Sequence, residues 1–263
     1  YGLTETFSSG CIMETGDMRT KHVGAPLGTV EIILRPWEEG SYFPTDQPNP
    51  RGEVLIGGDP VSRGYFKQPE LTAKDFFTNK DGRRFFCTGD IGQFNADGTL
   101  SIIDRKKDLV KLQAGEYVSL AKVELALGQS LYVENACCYA SPDHTFTVCF
   151  VSPKKKQLRD LAIKMQVMPS EDKIAELCKK ESISEENALH QLLCETDKVK
   201  QGVLADLHAM CKEAALATFE IPKKVHLDPA IWTPESGLVT DAMKLKRFNL
   251  QKKFQEAIDK MYA

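Results

Sequence analysis

Residues 104–124 read DRKKDLVKLQAGEYVSLAKVE, and how that stretch divides decides the organisation of the chain. It follows an apolar run (Leu100, Ile102, Ile103), crowds five charges into 104–108, and passes through a loop containing Gly115 into a segment of helical spacing. A charge cluster between an apolar strand and a fresh element marks a boundary between two bodies. The expected division is therefore 1–103 as a β-rich part, 104–108 as a hinge, and 109–263 as a smaller α+β part.

Upstream of this stretch the pattern from Gly28 to Gly98 is β-rich. Residues 29–34 (TVEIIL), 53–57 (EVLIG) and 91–95 (IGQFN) read as short strands, and Asp97-Gly98 is a hairpin signal leading into 99–104 (TLSIID). Strands at this spacing predict a small barrel or distorted sheet, with a short surface helix from Pro69 to Phe76. Downstream, Ser119 is placed to cap a helix carrying Leu120, Val123 and Leu127, with Gly128 as its stop. Residues 135–140 and 145–151 predict a hairpin across SPDH. Residues 154–217 are Leu- and Ala-rich, with helix starts expected near Ser170, Ser184 and Asp197. Their eleven basic and eleven acidic residues predict solvated faces over an apolar stripe. A strand at 223–227 precedes a final helix with Leu245, Phe248, Phe254, Ile258 and Met261 on its apolar side.

The composition narrows the function classes. With 34 Lys+Arg against 37 Asp+Glu the formal net charge is −3, so no global field recruits nucleic acid. Eight cysteines include no CxxC pair and several fall at apolar positions, the usage of a reducing, cytosol-facing compartment. No run approaches the roughly 18 apolar residues that would span a bilayer. The sequence begins at Tyr1, without an initiator Met, and reads as the carboxy-terminal portion of a longer protein.

Three clusters carry chemistry. Thr4 and Glu5 pair a hydroxyl that can donate to phosphate with a carboxylate suited to Mg²⁺; a polar turn is the competing reading. Thr88-Gly89-Asp90 puts a carboxylate just past a glycine and before a strand, where it can accept both hydroxyls of a ribose; Arg105 supplies a guanidinium able to reach the same sugar or a phosphate. Lys244, Lys246 and Arg247 gather at the start of the last helix, an arrangement that serves either an anion or plain solvation.

Taken in order, YGLTET (1–6), GEVLIGGDPVSRGYFKQPELT (52–72), DGRRFFCTGDIGQFNADGTLSIIDRKKDLVKLQAGEYVSL (81–120) and Lys-x-x-Arg (244–247) resemble the adenylate-forming, acyl-activating enzymes. WTPESGLVTDAMKLKR with a helical insert resembles the eukaryotic long-chain acyl-CoA synthetases among them. The resemblance implies an α/β fold, α+β within this chain: a barrel-like β subdomain of a large AMP-binding domain, a hinge, and a small lid domain with an insert at about 154–217. It implies ATP, Mg²⁺ and CoA as cofactor and co-substrates, fatty acid as substrate, and no nucleic acid. Tyr1 would lie along the adenine, with Gly2 among the nucleotide-binding positions. Thr4 would contact the α-phosphate, Glu5 would help hold Mg²⁺, and Asp90 and Arg105 would grip the ribose. Lys244 would act on the α-phosphate and carboxylate oxygens, Lys107 would be the hinge residue, and Gly115 would line the pantetheine tunnel. The family's Ser-Gly before the catalytic lysine is replaced by Ala242-Met243. Its Ser/Thr/Gly-rich phosphate loop does not occur in these 263 residues. Residues preceding Tyr1 would supply that loop, the acyl tunnel and peripheral association with the cytosolic side of an organelle membrane. The alternatives are a ligase for an aryl or medium-chain acid and a truncated, non-catalytic nucleotide- or partner-binding module.

Overall fold

Asp97-Gly98 turns the chain as its residue types require. Gly98 takes a positive φ of 82°, the Asp97 carboxylate accepts from Thr99 N–H at 3.0 Å, and Asn95 N–H donates to Thr99 O at 2.9 Å. The computed structural model describes residues 1–263, which divide into two compact units, Tyr1–Leu109 and Val110–Ala263.

In the first unit a 3-10 turn at Thr4–Thr6 precedes β1 (Cys11–Ile12), β2 (Ala25–Pro26), β3 (Val30–Arg35), β4 (Arg51–Gly58), α1 (Pro69–Asp75), β5 (Phe76–Thr78), β6 (Arg84–Phe94) and β7 (Leu100–Arg105). β1 pairs with β2; the main sheet is antiparallel in the order β3-β4-β6-β5, with β7 pairing further along β6. The expected barrel does not close, because β3 ends one side of the sheet and β5 and β7 divide the other. β4 is buried almost end to end, with Val54 and Ile56 in a cluster with Leu34 and Leu100. Such a run suits a central strand covered on both faces. A second 3-10 turn, Lys106–Asp108, follows β7.

One charge interrupts that burial. Glu53, 3% exposed, accepts from Arg35 Nε at 2.9 Å and from Lys106 Nζ at 2.8 Å. A carboxylate so enclosed persists only when paired, and the two cations tie β3 and the post-β7 turn to β4.

The second unit opens with a two-stranded ladder of β8 (Leu109–Lys111) and β9 (Tyr117–Ser119), then α2 (Leu120–Leu127), β10 (Val133–Tyr139) and β11 (Val148–Pro153). Four helices follow, α3 (Lys155–Lys164), α4 (Glu171–Glu181), α5 (Glu185–Glu195) and α6 (Asp197–Glu213), before β12 (Lys224–Leu227), α7 (Arg247–Lys253) and α8 (Gln255–Tyr262). Ser119 caps α2 as expected, accepting from Lys122 N–H at 3.3 Å. β10 runs antiparallel to β11 and β12 parallel to it. Along β11 the side chains alternate: Cys149 and Val151 join a cluster with Leu127, Leu158, Val203 and Leu207, while Val148 and Phe150 join Trp232, Leu250, Phe254 and Ile258. The period of two thus buries both faces, between the apolar stripes of α2, α3, α5 and α6 on one side and the terminal pair on the other.

Three sequence expectations change and one holds. Asp90 lies inside β6, not in a turn before a strand, because Gly89 at φ +72° bends the strand without ending it. α3 is an additional helix beginning at Lys155 without a side-chain cap, so no start signal announced it. The apolar stripe expected in 154–217 is present, with Leu158, Ala162, Leu193, Val203 and Leu207 in the core. The last helix is two helices meeting at Phe254, with Leu245 in a bridge to Val239 ahead of them and Phe248 78% exposed. No helix is long and apolar enough to cross a membrane.

Candidate functional site

The bend at Gly89 turns Asp90 into the centre of a polar cluster in the first unit. Thr88 fixes the bend, its hydroxyl donating to Val54 O at 2.8 Å and accepting from Asp90 N–H at 3.0 Å. β7 pairs Arg105 directly opposite Asp90. The carboxylate, in a residue only 7% exposed, takes Arg105 Nε on Oδ1 at 2.9 Å and the Tyr1 hydroxyl on Oδ2 at 2.7 Å. Burial first, and then the Asp90 charge, push the Tyr1 phenol well above its ordinary range, so it remains a donor. Each carboxylate oxygen keeps acceptor capacity beyond these two contacts, which suits a diol. The three residues read separately from sequence as adenine and ribose contacts are thus joined.

Tyr1 is held by backbone pairing, Cys11 N–H donating to Tyr1 O at 2.9 Å. The following turn is tight: Ser8 N–H reaches Leu3 O at 2.9 Å, and Phe7 and Ser8 both take positive φ. A Cβ on Gly2 would stand 2.1 Å from Ser8 O, so this position accepts glycine alone. Thr4 is exposed on the 3-10 turn. Glu5 is half-buried and its Oε1 accepts from Tyr65 OH at 2.9 Å. Tyr65 was not foreseen; its only sequence signal is an aromatic in the loop preceding α1. Burial, then the hydrogen bond to Glu5, push its phenol up, so the bond orients Glu5 without consuming its second oxygen.

Glu5 bears on the divalent cation. No group of three or more His, Cys, Asp or Glu side chains forms a metal cage. A single oriented carboxylate beside a hydroxyl fits an ion such as Mg²⁺, which keeps several waters and takes other ligands from substrate phosphates.

Lys107 is exposed in the 3-10 turn of Lys106–Asp108; its neighbour Lys106 is the one bound to Glu53. Gly115 and Lys244 belong to the second unit. Gly115 sits at φ +100° in the exposed turn between β8 and β9, which closes through Gly115 N–H to Leu112 O at 2.9 Å and Leu112 N–H to Glu116 O at 2.8 Å. Lys244 is exposed just past a turn in which Met243 N–H donates to Thr240 O, and Thr240 N–H donates to Lys244 O, both at 2.8 Å. Lys244 N–H returns to Thr240 Oγ1 at 3.1 Å. The backbone of Lys244 is therefore pinned while its ammonium is free to reach. Met243 takes φ +58°, a left-handed conformation natural to glycine. Beyond it Arg247 donates through both terminal nitrogens to Glu124 of α2.

Comparison with known proteins gives the similarities of the chain as a whole. The family model described as AMP-binding enzyme matches residues 1–66. The chain is 44% identical over all 263 residues to long chain acyl-CoA synthetase 8 of Arabidopsis thaliana, and 36% identical to long-chain-fatty-acid--CoA ligase 1 of Saccharomyces cerevisiae, covering 100% of this chain in both cases and 34% and 35% of theirs. It therefore spans about a third of the length of the curated relatives it matches. Among solved structures, the A-PCP didomain of the carboxylic acid reductase from Segniliparus rugosus, in complex with AMP, is similar at a TM-score of 0.71 and 27% identity, over 100% of this chain and 30% of that one. Along its entire length the chain is similar to long-chain acyl-CoA synthetases, and its first 66 residues match the AMP-binding enzymes.

Proposed function

We propose that this chain is the carboxy-terminal portion of an AMP-forming long-chain fatty-acid CoA ligase, which converts fatty acid, ATP and CoA into acyl-CoA, AMP and pyrophosphate. The observation that carries the reading is the Asp90 carboxylate, buried at a strand bend and flanked by Tyr1 and Arg105. That cluster offers a ribose diol two acceptors and places an aromatic ring beside them, as an adenosine requires.

In the first half-reaction the fatty-acid carboxylate attacks the α-phosphorus of ATP and pyrophosphate leaves. Negative charge gathers on the equatorial oxygens, where an ammonium and a hydroxyl lower the barrier. Lys244 is the ammonium and Thr4 the hydroxyl. Glu5, oriented by Tyr65, would hold Mg²⁺, which supplies Lewis-acid stabilisation of the phosphates. In the second half-reaction the CoA thiol attacks the acyl carbonyl and AMP departs. Gly115, lacking a side chain, would let pantetheine pass close to the backbone. Residues 104–108, with Lys107 as pivot, would be the joint at which one domain presents two faces in turn. Fatty acid as the specific substrate, and a place at the cytosolic side of the endoplasmic reticulum, outer mitochondrial membrane or peroxisome, belong to the same proposal.

The test uses the full-length protein carrying this chain. Lys244→Ala is expected to abolish fatty-acid-dependent pyrophosphate release while CoA still reacts with supplied acyl adenylate. Equal loss of both half-reactions would remove Lys244 from this role, and full activity with benzoate but none with palmitate would replace the substrate class.

A further inference from the structure

A cleft in the second unit shares no residue with those assigned above. It lies among α6, β12 and the α7–α8 pair, measures about 1140 Å³, and is lined by Lys200, Lys223, Lys224, Lys252, Lys253 and Lys260. The chain as a whole carries −3, so this gathering does not follow from general basicity. Three acidic residues share the lining, Asp197, Asp228 and Glu256, and two are engaged. Asp228 is 5% exposed; its Oδ2 accepts from Trp232 Nε1 at 2.8 Å and from Lys253 Nζ, its Oδ1 from Ala230 N–H at 3.2 Å. Asp197 pairs with Lys200 at 3.6 Å. No ion pair engages Lys224, Lys252 or Lys260.

Ammonium groups crowded into a concavity repel one another more strongly than on a convex surface, because low-dielectric walls focus their fields. The effect is felt at His226 on β12. Burial holds its imidazole below the usual range, Asp228 pulls the other way, and the charges of Lys200, Lys253 and Lys260 add to the lowering. An anion entering the cleft relieves the repulsion among its lysines.

The residue types indicate which anion. The cleft has no arginine, hence no planar fork for bidentate carboxylate recognition; ammonium groups are point charges suited to the several oxygens of phosphoryl groups. The lysines surround a concave floor formed by Val225, His226 and Phe254, which suits a group that enters the cleft better than a flat surface laid across it. The volume accommodates a small organic ligand. We propose that this cleft binds a compact anion bearing several phosphoryl groups, whether a soluble organic polyphosphate or a phosphorylated lipid headgroup.

The experiment measures binding of inositol hexakisphosphate to the full-length protein by calorimetry, at low and at moderate salt. Wild-type protein is expected to bind, with affinity falling as salt screens the lysines. The triple variant Lys224→Glu, Lys252→Glu, Lys260→Glu should bind at least about tenfold more weakly, and the corresponding Lys→Arg triple should retain binding. All three positions are exposed, and unchanged pyrophosphate release by the variants verifies that they fold. Phosphatidylcholine vesicles containing phosphatidylinositol bisphosphate separate the sources: capture lost in the Glu triple assigns the headgroup, and soluble binding without capture assigns the free polyphosphate. Equal binding by wild type and Glu triple, no binding by wild type, or equal capture on phosphatidylserine vesicles of matched charge would overturn the proposal.

Discussion

Glu124 on α2 joins three parts of the second unit, and its removal should be costly in a calculable way. Its carboxylate takes both terminal nitrogens of Arg247, at 2.5 and 2.9 Å, and the Cys138 N–H of β10 at 2.8 Å. β10 is an edge of its sheet, so this carboxylate stops an outward-facing strand donor that would otherwise lack an acceptor. The side chains of Glu124 and Arg247 are 13% and 29% exposed, sheltered but short of full burial. Charge-assisted bonds contribute about 1.5–3 kcal/mol each and breaking a buried pair costs about 3–5 kcal/mol. Allowing for solvent at Arg247, Glu124→Ala should cost about 3 kcal/mol. Glu124→Gln, which keeps an acceptor for Cys138, should cost about half as much. Urea unfolding of the chain on a Trp37→Phe background isolates Trp232, which is fully buried in this unit, as the reporter. In a cycle with Arg247→Met the coupling should reach about 1–2 kcal/mol. Additivity within about 0.5 kcal/mol, or a loss below about 1 kcal/mol for Glu124→Ala, would refute the assignment of this contact as the anchor of α7.

Other perturbations follow from single features. Met243 holds a left-handed φ of 58° that costs a non-glycine residue about 1–2 kcal/mol; Met243→Gly should therefore be neutral or stabilising in the same assay, whereas β-branched Met243→Val should destabilise. Asp90→Asn removes the charge facing Arg105 and an acceptor for Tyr1 and for the proposed ribose contact, so ATP affinity of the full-length protein should fall about 10-fold or more by calorimetry; unchanged affinity would remove Asp90 from the proposed nucleotide site. Burial pushes the thiols of Cys137 and Cys194 up to about 12. Above pH 9 the unfolded chain loses these protons while the folded one keeps them, so their stabilisation is complete below that pH and is lost as pH rises toward 12. Unfolding free energy should drop by about 1 kcal/mol per thiol between pH 8 and pH 10, and Cys194→Ala should show a drop smaller by that amount.

What was readable in the sequence was what local chemistry dictates. Ser119 announced α2 because a side-chain oxygen at a helix start answers a specific unpaired N–H, and Asp97-Gly98 announced a hairpin because few residues tolerate its φ values. α3 lacks any such signal: it begins at Lys155 within a run of three lysines and without a side-chain cap, although Leu158 and Ala162 further along it are core. Phe248 was assigned to the apolar face because the terminal segment was read with one phase. The break at Phe254 separates two helices, and Leu250, not Phe248, fills the core.

The candidate site divides along the same line. Asp90 could be named from a tripeptide, yet what makes it useful is contributed by partners remote in sequence: Tyr1, 89 residues away, and Arg105, brought opposite by strand register. Glu5 had the same standing from YGLTET, while its orienting Tyr65 carried no motif and was found only through a hydrogen bond spanning 60 residues. Glu53 shows the limit most sharply. Between Gly52 and Val54 it reads as a solvent-facing charge on an alternating strand, and it is instead 3% exposed because Arg35 and Lys106 meet it from two other elements. Residues that will touch a ligand are constrained in type by that ligand's chemistry, so their identities leave a local trace. Residues that position them are constrained only by where the fold brings them, and any donor with adequate reach can serve. The proposed hinge at 104–108 combines both kinds: a motif points to Lys107, whereas Lys106 beside it is the residue the fold has fastened to Glu53.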